Sequence, residues 1–412
     1  MIIERPLYVE QLDVAMHNGL VKIITGLRRC GKSFLLSTLF SEHLKNKGIT
    51  SDNILYISME SLRNRQLKDP VKMLSHIEDF CSSNSAMHYV IIDEVQTVDA
   101  FVDMLNSLLL IKNLDVYVTG SNSRFLSSDI ATEFRGRSYE IHLYPLSFGE
   151  YFNFVGGDFS SAWEDYSMHG GLPLLVSMPE AEKESYLKQL VNTVYLRDII
   201  ERNRLENKSE MKELMKVMAS SIGSLTNVGN ISNTFKSKGR QSISDNTLTK
   251  YIKYLEESFV LEKSIRYDIR GKQYIGALAK YYFQDIGMRN ALLSFRQADK
   301  GHIMENVIYN ELRMRGFSVD VGQVSLRQNG ERLGVEVDFV ANQGSRRYYI
   351  QSSYQMMDEE KVIQEKRPLK NIGDSFKKIL IVSEQNSIRY DDDGIATMGL
   401  QQFLTDRNSL ER

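Results

Sequence analysis

The chain has 412 residues, which at roughly 150 residues per domain predicts two or three domains. Its 51 Lys and Arg nearly balance its 53 Asp and Glu, and the formal net charge of −2 argues against a protein that coats nucleic acid, although it allows a local basic face. The two cysteines, Cys30 and Cys81, exclude a disulfide framework and favour a reducing compartment.

The sequence also predicts where the protein resides. Glu4, Arg5 and Glu10 stand where a signal peptide requires an apolar run. No stretch of the sequence approaches the roughly 20 consecutive apolar residues that span a bilayer. We therefore expect a cytoplasmic protein that does not bind or span a membrane.

In chain order, short β-like runs first alternate with helical patterns, which predicts an α/β domain with a parallel sheet over residues 1–148. GLRRCGKS at residues 26–33 fits G-x-x-x-x-G-K-[ST], which indicates the sheet of a P-loop NTPase. The predicted strands are 21–25, 53–58, 88–93, 115–119 and 138–143, and the predicted helices include 32–47 and 100–111. Residues 149–285 are expected to form a mostly helical region, and residues 286–412 a separate α/β domain.

A phosphate-binding loop is predicted at residues 26–33, where GLRRCGKS fits G-x-x-x-x-G-K-[ST] between a β-like run and an amphipathic helix. Gly26 and Gly31 let the backbone curl, so that N–H groups and the helix N-terminus face one phosphate chain. Lys32 supplies a charge for the β- and γ-phosphates, and Ser33 offers a hydroxyl to Mg²⁺. The predicted nucleotide contacts are Gly26, Leu27, Arg28, Arg29, Cys30, Gly31, Lys32, Ser33 and Phe34.

This loop has alternative interpretations. A strand-to-helix turn with an incidental lysine would explain the glycines alone, although the complete motif in its expected context favours phosphate binding. Cys30 is interpreted either as a redox switch or as a small loop residue, and the second interpretation is simpler.

The segment HYVIIDE, residues 88–94, is an apolar run that ends in two carboxylates, which is typical of a buried parallel strand facing a ligand. We predict that Asp93 holds Mg²⁺ and that Glu94 polarises the water attacking the γ-phosphate. A glutamate at position 94 indicates an enzyme that hydrolyses the nucleotide rather than a kinase that transfers its phosphoryl group to a metabolite. Because the sequence has no N/T-K-x-D signal for guanine, ATP is the expected nucleotide.

Two further site candidates follow later in this domain. Ser121 and Asn122 come just after the strand predicted at 115–119 and are interpreted either as sensors of the γ-phosphate or as plain turn residues. Arg137 is interpreted either as an arginine finger, for a nucleotide in its own or a neighbouring subunit, or as an ordinary surface arginine.

These motifs together resemble a known group. The chain is similar to the prokaryotic AAA-type, STAND-like ATPases that carry a C-terminal domain of unknown function. Besides the motifs above, the resemblance depends on the segments at residues 134–137, 145–151, 170–173 and 195–199. The resemblance covers nearly the whole chain. It implies an ATP-binding module, a helical region with a winged-helix-like unit, and a degenerate nuclease-like C-terminal domain.

Residues 210–270 are predicted to fold as three helices and a β-ribbon, the order of a winged helix. In the third helix a buried stripe is expected at Leu248, Ile252, Leu255 and Phe259, which leaves Lys250, Lys253 and Tyr254 off the stripe. Residues 236–272 contain nine Lys and Arg and five Asp and Glu, a net charge of +4. This face predicts either contact with double-stranded DNA through Lys250 and Lys253 or a protein-binding, nucleotide-sensing role.

The C-terminal region resembles the PD-(D/E)xK nuclease layout, which is a restriction-endonuclease-like fold. Glu305 lies on a predicted helix, and predicted strands lie near residues 319–326, 336–340 and 348–351. Asp338 matches the first acid, but Gln351 and Ser353 stand where the layout has a second acid and a lysine. Mg²⁺ held by one carboxylate, with or without help from Glu305, would bind weakly. With Ser353 in place of lysine, a charge that could lower the pKa of a bound water is also expected to be absent, so nuclease activity is expected to be lost.

The leading hypothesis is a Mg-dependent ATPase that acts as a switch or remodeller, as a homo-oligomer or with an unknown protein partner. One alternative is a nucleotide-gated DNA-binding regulator with slow hydrolysis. Another, disfavoured by Gln351 and Ser353, is an ATP-dependent nuclease.

Overall fold

The computed structural model describes residues 2–120, 134, 136–237, 243–297, 299–328, 331–354, 359–384 and 387–412. The chain divides into two compact units. The first comprises Met1–Pro145 and Glu257–Phe259, and the second comprises Leu146–Glu256 and Val260–Arg412.

The first unit is built on a five-stranded sheet in the order β2-β3-β4-β1-β5, in which every neighbouring pair is parallel. The strands are β1 (Val21–Thr25), β2 (Ile54–Ser58), β3 (His88–Asp93), β4 (Leu114–Thr119) and β5 (Ser138–His142). The prediction of an α/β domain with a parallel sheet is therefore confirmed.

Helices connect these strands. The α-helices are Pro6–Val14, Lys32–Phe34, Ser41–Asn46, Pro70–Cys81 and Phe101–Leu108, with a π-helical segment at Leu35–Phe40 and 3₁₀ turns at Ser51–Asn53, Leu62–Lys68 and Val95–Thr97. The helix at Pro70 begins where the Asp69 side chain accepts hydrogen bonds from Val71 N and Lys72 N, a common N-cap arrangement.

β1 and β3 are buried over their whole length and β4 over all but Leu114, which explains why these strands are mostly apolar. The order of the strands matters for the site, because β4 lies between β1 and β3. The carboxyl ends of all three strands meet at one edge of the sheet, where ligands bind in open parallel sheets. The phosphate loop after β1 and Asp93 at the end of β3 therefore flank Thr119 at the end of β4.

The second unit begins with helices. They are Phe148–Val155, Phe159–His169, Pro173–Val176, Glu180–Leu190, Leu196–Asn203, Lys208–Ser220, Val228–Ser237 and Asp245–Glu257, with a π-helical segment at Val191–Tyr195. The helix Phe148–Val155 starts in a capping box, in which Ser147 and Glu150 each bind the other's backbone N–H.

An eight-stranded mixed sheet follows, in the order β12-β13-β11-β10-β9-β8-β6-β7. Its strands are β6 (Leu261–Asp268), β7 (Gln273–Phe283), β8 (Ser318–Gln328), β9 (Glu331–Gln343), β10 (Arg346–Ser353), β11 (Lys377–Val382), β12 (Arg389–Tyr390) and β13 (Ala396–Gly399). The remaining helices are Ile286–Leu292, Lys300–Met314, Glu359–Lys370 and Leu400–Thr405, with a 3₁₀ turn at Ser409–Glu411.

The antiparallel hairpin β6–β7 belongs to the same sheet as the C-terminal strands, because β6 pairs with β8 in parallel over Arg266–Asp268 and Val321–Gln323. This pairing crosses the boundary predicted at residue 285, and the division into three domains stays a prediction. None of the helices in the described ranges combines the length and the hydropathy that a membrane-spanning segment requires.

Candidate functional site

The phosphate loop needs glycine at its first position. Gly26 has a φ of +143°, and a Cβ there would lie 2.1 Å from the carbonyl oxygen of Leu143. Gly31, at the start of the following helix, has a φ of +105°, which also favours glycine. The two glycines of the motif are therefore required by backbone conformation and by close approach.

Cys30 packs inside the loop rather than facing solvent. Its side chain is fully buried, and its Sγ lies 3.3 Å from the carbonyl oxygen of Leu143. Burial raises the pKa of the thiol, although the charges of Lys32 and Arg5 oppose the rise. A thiol that resists ionisation reacts slowly with oxidants, which favours the interpretation of Cys30 as a small loop residue.

Lys32 is 5% exposed, and its ammonium is turned back onto the loop. Its Nζ donates to the carbonyl oxygens of Gly26 and Leu27, at 3.0 and 3.1 Å. Both acceptors are neutral, so this cation is held without an anionic partner of its own in these contacts.

The two predicted metal ligands meet in the structure. Ser33 Oγ donates to Asp93 Oδ1 at 2.9 Å, although the two residues are 60 positions apart in the chain. Asp93 is 4% exposed, whereas Ser33 is exposed. A hydroxyl and a carboxylate at this separation supply the oxygen ligands that Mg²⁺ prefers.

Thr119, at the end of β4, is a site residue that the sequence reasoning missed. Its Oγ1 donates to Asp93 Oδ1 at 2.5 Å and accepts a hydrogen bond from Glu94 N at 2.9 Å. The signal was present in the sequence, since a polar residue ends the strand. The prediction instead used the residues that follow it, Ser121 and Asn122, which lie outside the described residues.

Tyr56 on β2 is a second residue that was missed. Its hydroxyl donates to Asp93 Oδ2 at 3.1 Å, so hydroxyls reach both carboxylate oxygens of Asp93. Partial burial and the nearby Asp93 charge raise the pKa of Tyr56, which keeps the phenol protonated as a donor. Nothing in the β2 sequence alone marked this tyrosine, because its partner lies on the neighbouring strand.

Glu94 follows directly after β3 in a left-handed conformation, with φ of 57° and ψ of 48°. Non-glycine residues seldom adopt this conformation, and they do so mostly where the surrounding structure holds them. The Glu94 carboxylate accepts a hydrogen bond from Gln96 Nε2. The predicted base is thus oriented by its own backbone and by the side chain two residues later.

The other predicted nucleotide contacts vary in exposure. Leu27 is buried, Arg28 is half-buried, Arg29 is exposed with a φ of 71°, and Phe34 is 40% exposed in the first turn of the helix. All of them lie in the loop or the turn that follows it, but their roles toward a nucleotide stay predictions.

Arg137 lies where the strands of the same sheet begin, opposite the edge at which their carboxyl ends meet. Its carbonyl oxygen accepts a hydrogen bond from Val21 N, at the beginning of β1, and its Nη1 contacts Asn106 Oδ1 at 3.4 Å. The phosphate loop follows the end of β1, one strand length or roughly 15 Å away. The structure therefore does not bring Arg137 to the loop of its own chain, and a role toward a neighbouring subunit stays a prediction.

The helix Asp245–Glu257 has the face that its periodicity predicts. Leu248, Ile252 and Leu255 are buried, whereas Lys250 and Lys253 are exposed. The Lys250 ammonium lies 5.9 Å from the centre of the Tyr254 ring. The two lysines therefore lie on the solvent-exposed side of the helix, and this is the side on which a basic binding face would have to lie.

In the second unit, the residues matched to a nuclease layout line one pocket of about 660 Å³. Asp338 on β9 is 7% exposed, and its Oδ2 accepts from Ser352 N and Oγ at 2.8 and 2.9 Å. Gln351 Oε1 accepts from Asp338 N at 3.2 Å. Ser353 is buried on the same strand as Gln351.

A lysine that the sequence reasoning missed reaches this pocket from another strand. Lys280 on β7 lies with its Nζ 2.7 Å from Glu305, 2.6 Å from Glu336 and 3.5 Å from Asp338. The expectation that the pocket lacks a lysine charge, drawn from Ser353, is therefore wrong. The available signal was a lysine inside the otherwise apolar end of β7. We call Lys280, Glu305, Glu336, Asp338 and Gln351 the carboxylate pocket.

Comparison with known families divides the chain into three matches. Residues 18–152 match the AAA domain family, residues 160–299 match a domain of unknown function (DUF8612), and residues 300–403 match another domain of unknown function (DUF4143). The first match contains the whole phosphate loop, Asp93 and Glu94.

Similar proteins occur in bacteria and archaea. An uncharacterised protein of Haemophilus influenzae is 34% identical over 411 residues, which cover 98% of each chain. An uncharacterised protein of Methanocaldococcus jannaschii is 26% identical over 93% of this chain and 85% of its own. A Walker-type ATPase of Pyrococcus abyssi is similar in structure with a TM-score of 0.48 and 15% identity, over 71% of this chain and 96% of that one.

Proposed function

This chain belongs to the family of the Haemophilus influenzae protein and contains an AAA domain, and we propose that this domain binds MgATP and hydrolyses it. The observation that carries the proposal is the 2.9 Å contact between Ser33 Oγ and Asp93 Oδ1. It joins the phosphate loop to the acidic strand, so one site contains both the groups for a triphosphate and the oxygens for its metal ion.

In the proposed mechanism, Lys32 exchanges its two carbonyl contacts for the β- and γ-phosphates. This exchange is favourable because hydrogen bonds between charged groups are stronger than those to neutral carbonyls. Ser33 and Asp93 would hold Mg²⁺, which when bound neutralises charge on the triphosphate. Glu94 accepts the proton of the attacking water, and Thr119 holds Asp93 and the Glu94 backbone in place.

The test is a titration of the purified chain with Mg²⁺ and ATP, combined with turnover measurements. Lys32→Ala should eliminate ATP binding, whereas Lys45→Ala, a change of an exposed lysine farther along the same helical run, should not alter it. Glu94→Gln should keep ATP binding and trap ATP. Absence of ATP binding by the unaltered chain would overturn the proposal, and rapid turnover by Glu94→Gln would overturn the assignment of the base.

The proposed role of hydrolysis is to switch or remodel a partner. In this view the helical region and the C-terminal domain respond to the state of the nucleotide, and Arg137 acts on a nucleotide of a neighbouring subunit. Asn122 contributes as a sensor. ATP turnover with and without double-stranded DNA, together with light scattering during size-exclusion chromatography, tests which partner and which assembly the protein uses.

A second candidate function is a nucleotide-gated DNA-binding regulator, which the exposed pair Lys250 and Lys253 supports. The double variant Lys250→Glu and Lys253→Glu should weaken duplex binding and flatten its dependence on salt, because fewer phosphates are neutralised. The matched control is Lys208→Glu with Lys212→Glu, which makes the same charge change at two exposed positions of another helix. Unchanged binding isotherms would remove the helix Asp245–Glu257 from this role.

A further inference from the structure

The carboxylate pocket brings together residues from four elements of the second unit. Lys280 comes from β7, Glu305 from the helix Lys300–Met314, Glu336 and Asp338 from β9, and Gln351 from β10. Lys280 belongs to the residues that match one family, at 160–299, and its partners belong to the residues that match the next, at 300–403. The cluster therefore joins residues 160–299 to residues 300–403, which match two different families.

The ammonium of Lys280 lies among carboxylates rather than beside one of them. Its Nζ contacts Glu305 Oε1 at 2.7 Å and Glu336 Oε1 at 2.6 Å, and lies 3.5 Å from Asp338 Oδ1. A lysine ammonium has three N–H donors and no acceptor. The arrangement thus gives the lysine two carboxylates at hydrogen-bond distance and a third as a longer ion pair.

Burial makes this arrangement costly to break. Lys280 is 2% exposed, and Glu305 and Asp338 are each 7% exposed. Burial alone would lower the pKa of Lys280, but the charges of Glu305, Asp338 and Glu336 outweigh it and raise the pKa. Lys280 therefore stays charged across the physiological range, and it neutralises carboxylates that would otherwise be unpaired in the interior.

The oxygens of the cluster also bind other protein donors. Tyr282 Oη donates to the same Glu305 oxygen that Lys280 contacts, at 2.7 Å. Asp338 Oδ2 accepts two hydrogen bonds from Ser352. Gln351, which stands where a second acid would be needed, binds Asp338 N through Oε1 and lies with Nε2 3.4 Å from Glu365. With Lys280 and these donors in place, the carboxylate oxygens already have partners, and among the described residues they do not converge as the ligands of a metal ion would. A divalent cation therefore fits here only if Lys280 is removed.

We propose that the Lys280 ammonium is the resident cation of the carboxylate pocket, and that it fastens β7 to β9 and the helix Lys300–Met314 in place of a divalent metal. The pocket then acts as an ionic anchor between the two C-terminal family regions. Lysine replaces the metal here by reaching in from β7, not from the position of Ser353.

The first experiment measures Mn²⁺ binding to the full chain by electron paramagnetic resonance, without nucleotide, beside Asp338→Asn. We expect the two proteins to bind Mn²⁺ alike, since any Mn²⁺ at Ser33 and Asp93 is common to both. Saturable Mn²⁺ binding by the unaltered chain that disappears in Asp338→Asn would overturn the proposal. This result would leave the proposed ATP site untouched.

The second experiment follows thermal unfolding of Lys280→Met. Removing the charge leaves buried carboxylates unpaired, so the midpoint should fall by roughly 10 °C. Mn²⁺ should recover part of this loss in Lys280→Met and not in Lys280→Met with Asp338→Asn. An unchanged midpoint in Lys280→Met, or no recovery with Mn²⁺, would contradict the exchange of lysine for a metal. If Lys280→Met does not fold, Lys280→Arg replaces it, and its midpoint should fall by less than half as much because the charge remains.

Discussion

The phosphate loop and the carboxylate pocket each contain a buried lysine, but the partners of the two lysines differ. Lys32 Nζ contacts two backbone carbonyls, at 3.0 and 3.1 Å. Lys280 Nζ contacts the carboxylates of Glu305 and Glu336, at 2.7 and 2.6 Å. The two lysines are similarly buried, at 5% and 2% exposure, so burial does not distinguish them.

The partners decide whether a lysine is available to a ligand. Carbonyl oxygens are neutral, and an incoming phosphate can replace them at little cost. Carboxylates in the interior hold a lysine strongly, because separating the charges leaves each of them without compensation. The first arrangement suits a site that binds and releases an anion, and the second suits a permanent structural contact.

The largest expected contrast is in stability. Lys32→Met should lower the free energy of unfolding by no more than about 2 kcal/mol, because the ammonium that is lost donates only to neutral carbonyl oxygens and leaves no buried charge unpaired. Lys280→Met should lower it by about 3–5 kcal/mol, because a buried ion cluster loses its cation. Denaturant unfolding of both variants measures the contrast. Equal losses would show that carbonyl and carboxylate partners hold a buried lysine alike.

Asp93 and Asp338 can be compared by the effect of the same substitution on ATP turnover. Asp93→Asn should reduce Mg-dependent ATP turnover by about a hundredfold to a thousandfold, comparable with the loss of one strong electrostatic contact in an active site. Asp338→Asn should reduce turnover by less than about twofold, an effect of about 0.4 kcal/mol on the barrier. Steady-state turnover at saturating Mg²⁺ measures both. A large loss in Asp338→Asn would mean that the carboxylate pocket takes part in hydrolysis.

Asp285 shows what a buried carboxyl does when its donors are backbone N–H groups. Burial raises its pKa to about 6, although the N–H groups of Gly171, Met288 and Gly287 oppose the rise. Its folded pKa thus exceeds its unfolded value, so its contribution to stability is complete below about pH 4 and is lost as the pH rises through 6. The loss amounts to at most about 3 kcal/mol.

Urea unfolding between pH 4.5 and 7 tests this dependence. Asp285→Asn should make the decline of stability with pH shallower, because the group no longer titrates. The exposed change Asp392→Asn serves as the control and should leave the slope as it is. Identical slopes in the unaltered chain and Asp285→Asn would exclude Asp285 as the source.

The smallest expected effect is at Tyr56. Tyr56→Phe removes one hydrogen bond to Asp93 Oδ2, worth about 0.5–1.5 kcal/mol, and should raise the Mg²⁺ concentration needed for half-maximal turnover by about twofold to tenfold. Tyr139→Phe, at a partly exposed tyrosine of the same unit, is the control. A lower Mg²⁺ requirement in Tyr56→Phe would show that the phenol competes with the ion for Asp93.

The sequence by itself determined the features that are local along the chain. The spacing of Gly26, Gly31, Lys32 and Ser33 and the carboxylates after an apolar run fix a loop and a strand end, because each depends on the backbone conformation of a few neighbouring residues. The five strands of the first sheet were predicted to within one residue at either end. For β1, β3 and β4 the reason is burial, since buried parallel strands are mostly apolar in sequence.

Only the tertiary structure decided which side chains from separate strands meet. Thr119 and Tyr56 reach Asp93 because β4 and β2 are the neighbours of β3, and strand order is not written in any single segment. Lys280 enters the carboxylate pocket from β7, although the sequence pattern placed the missing lysine at Ser353 on β10. The electrostatic interaction between two charges depends on their distance in space and not along the chain. Lys280, 73 positions before Ser353, can therefore supply the positive charge that the nuclease layout places at position 353.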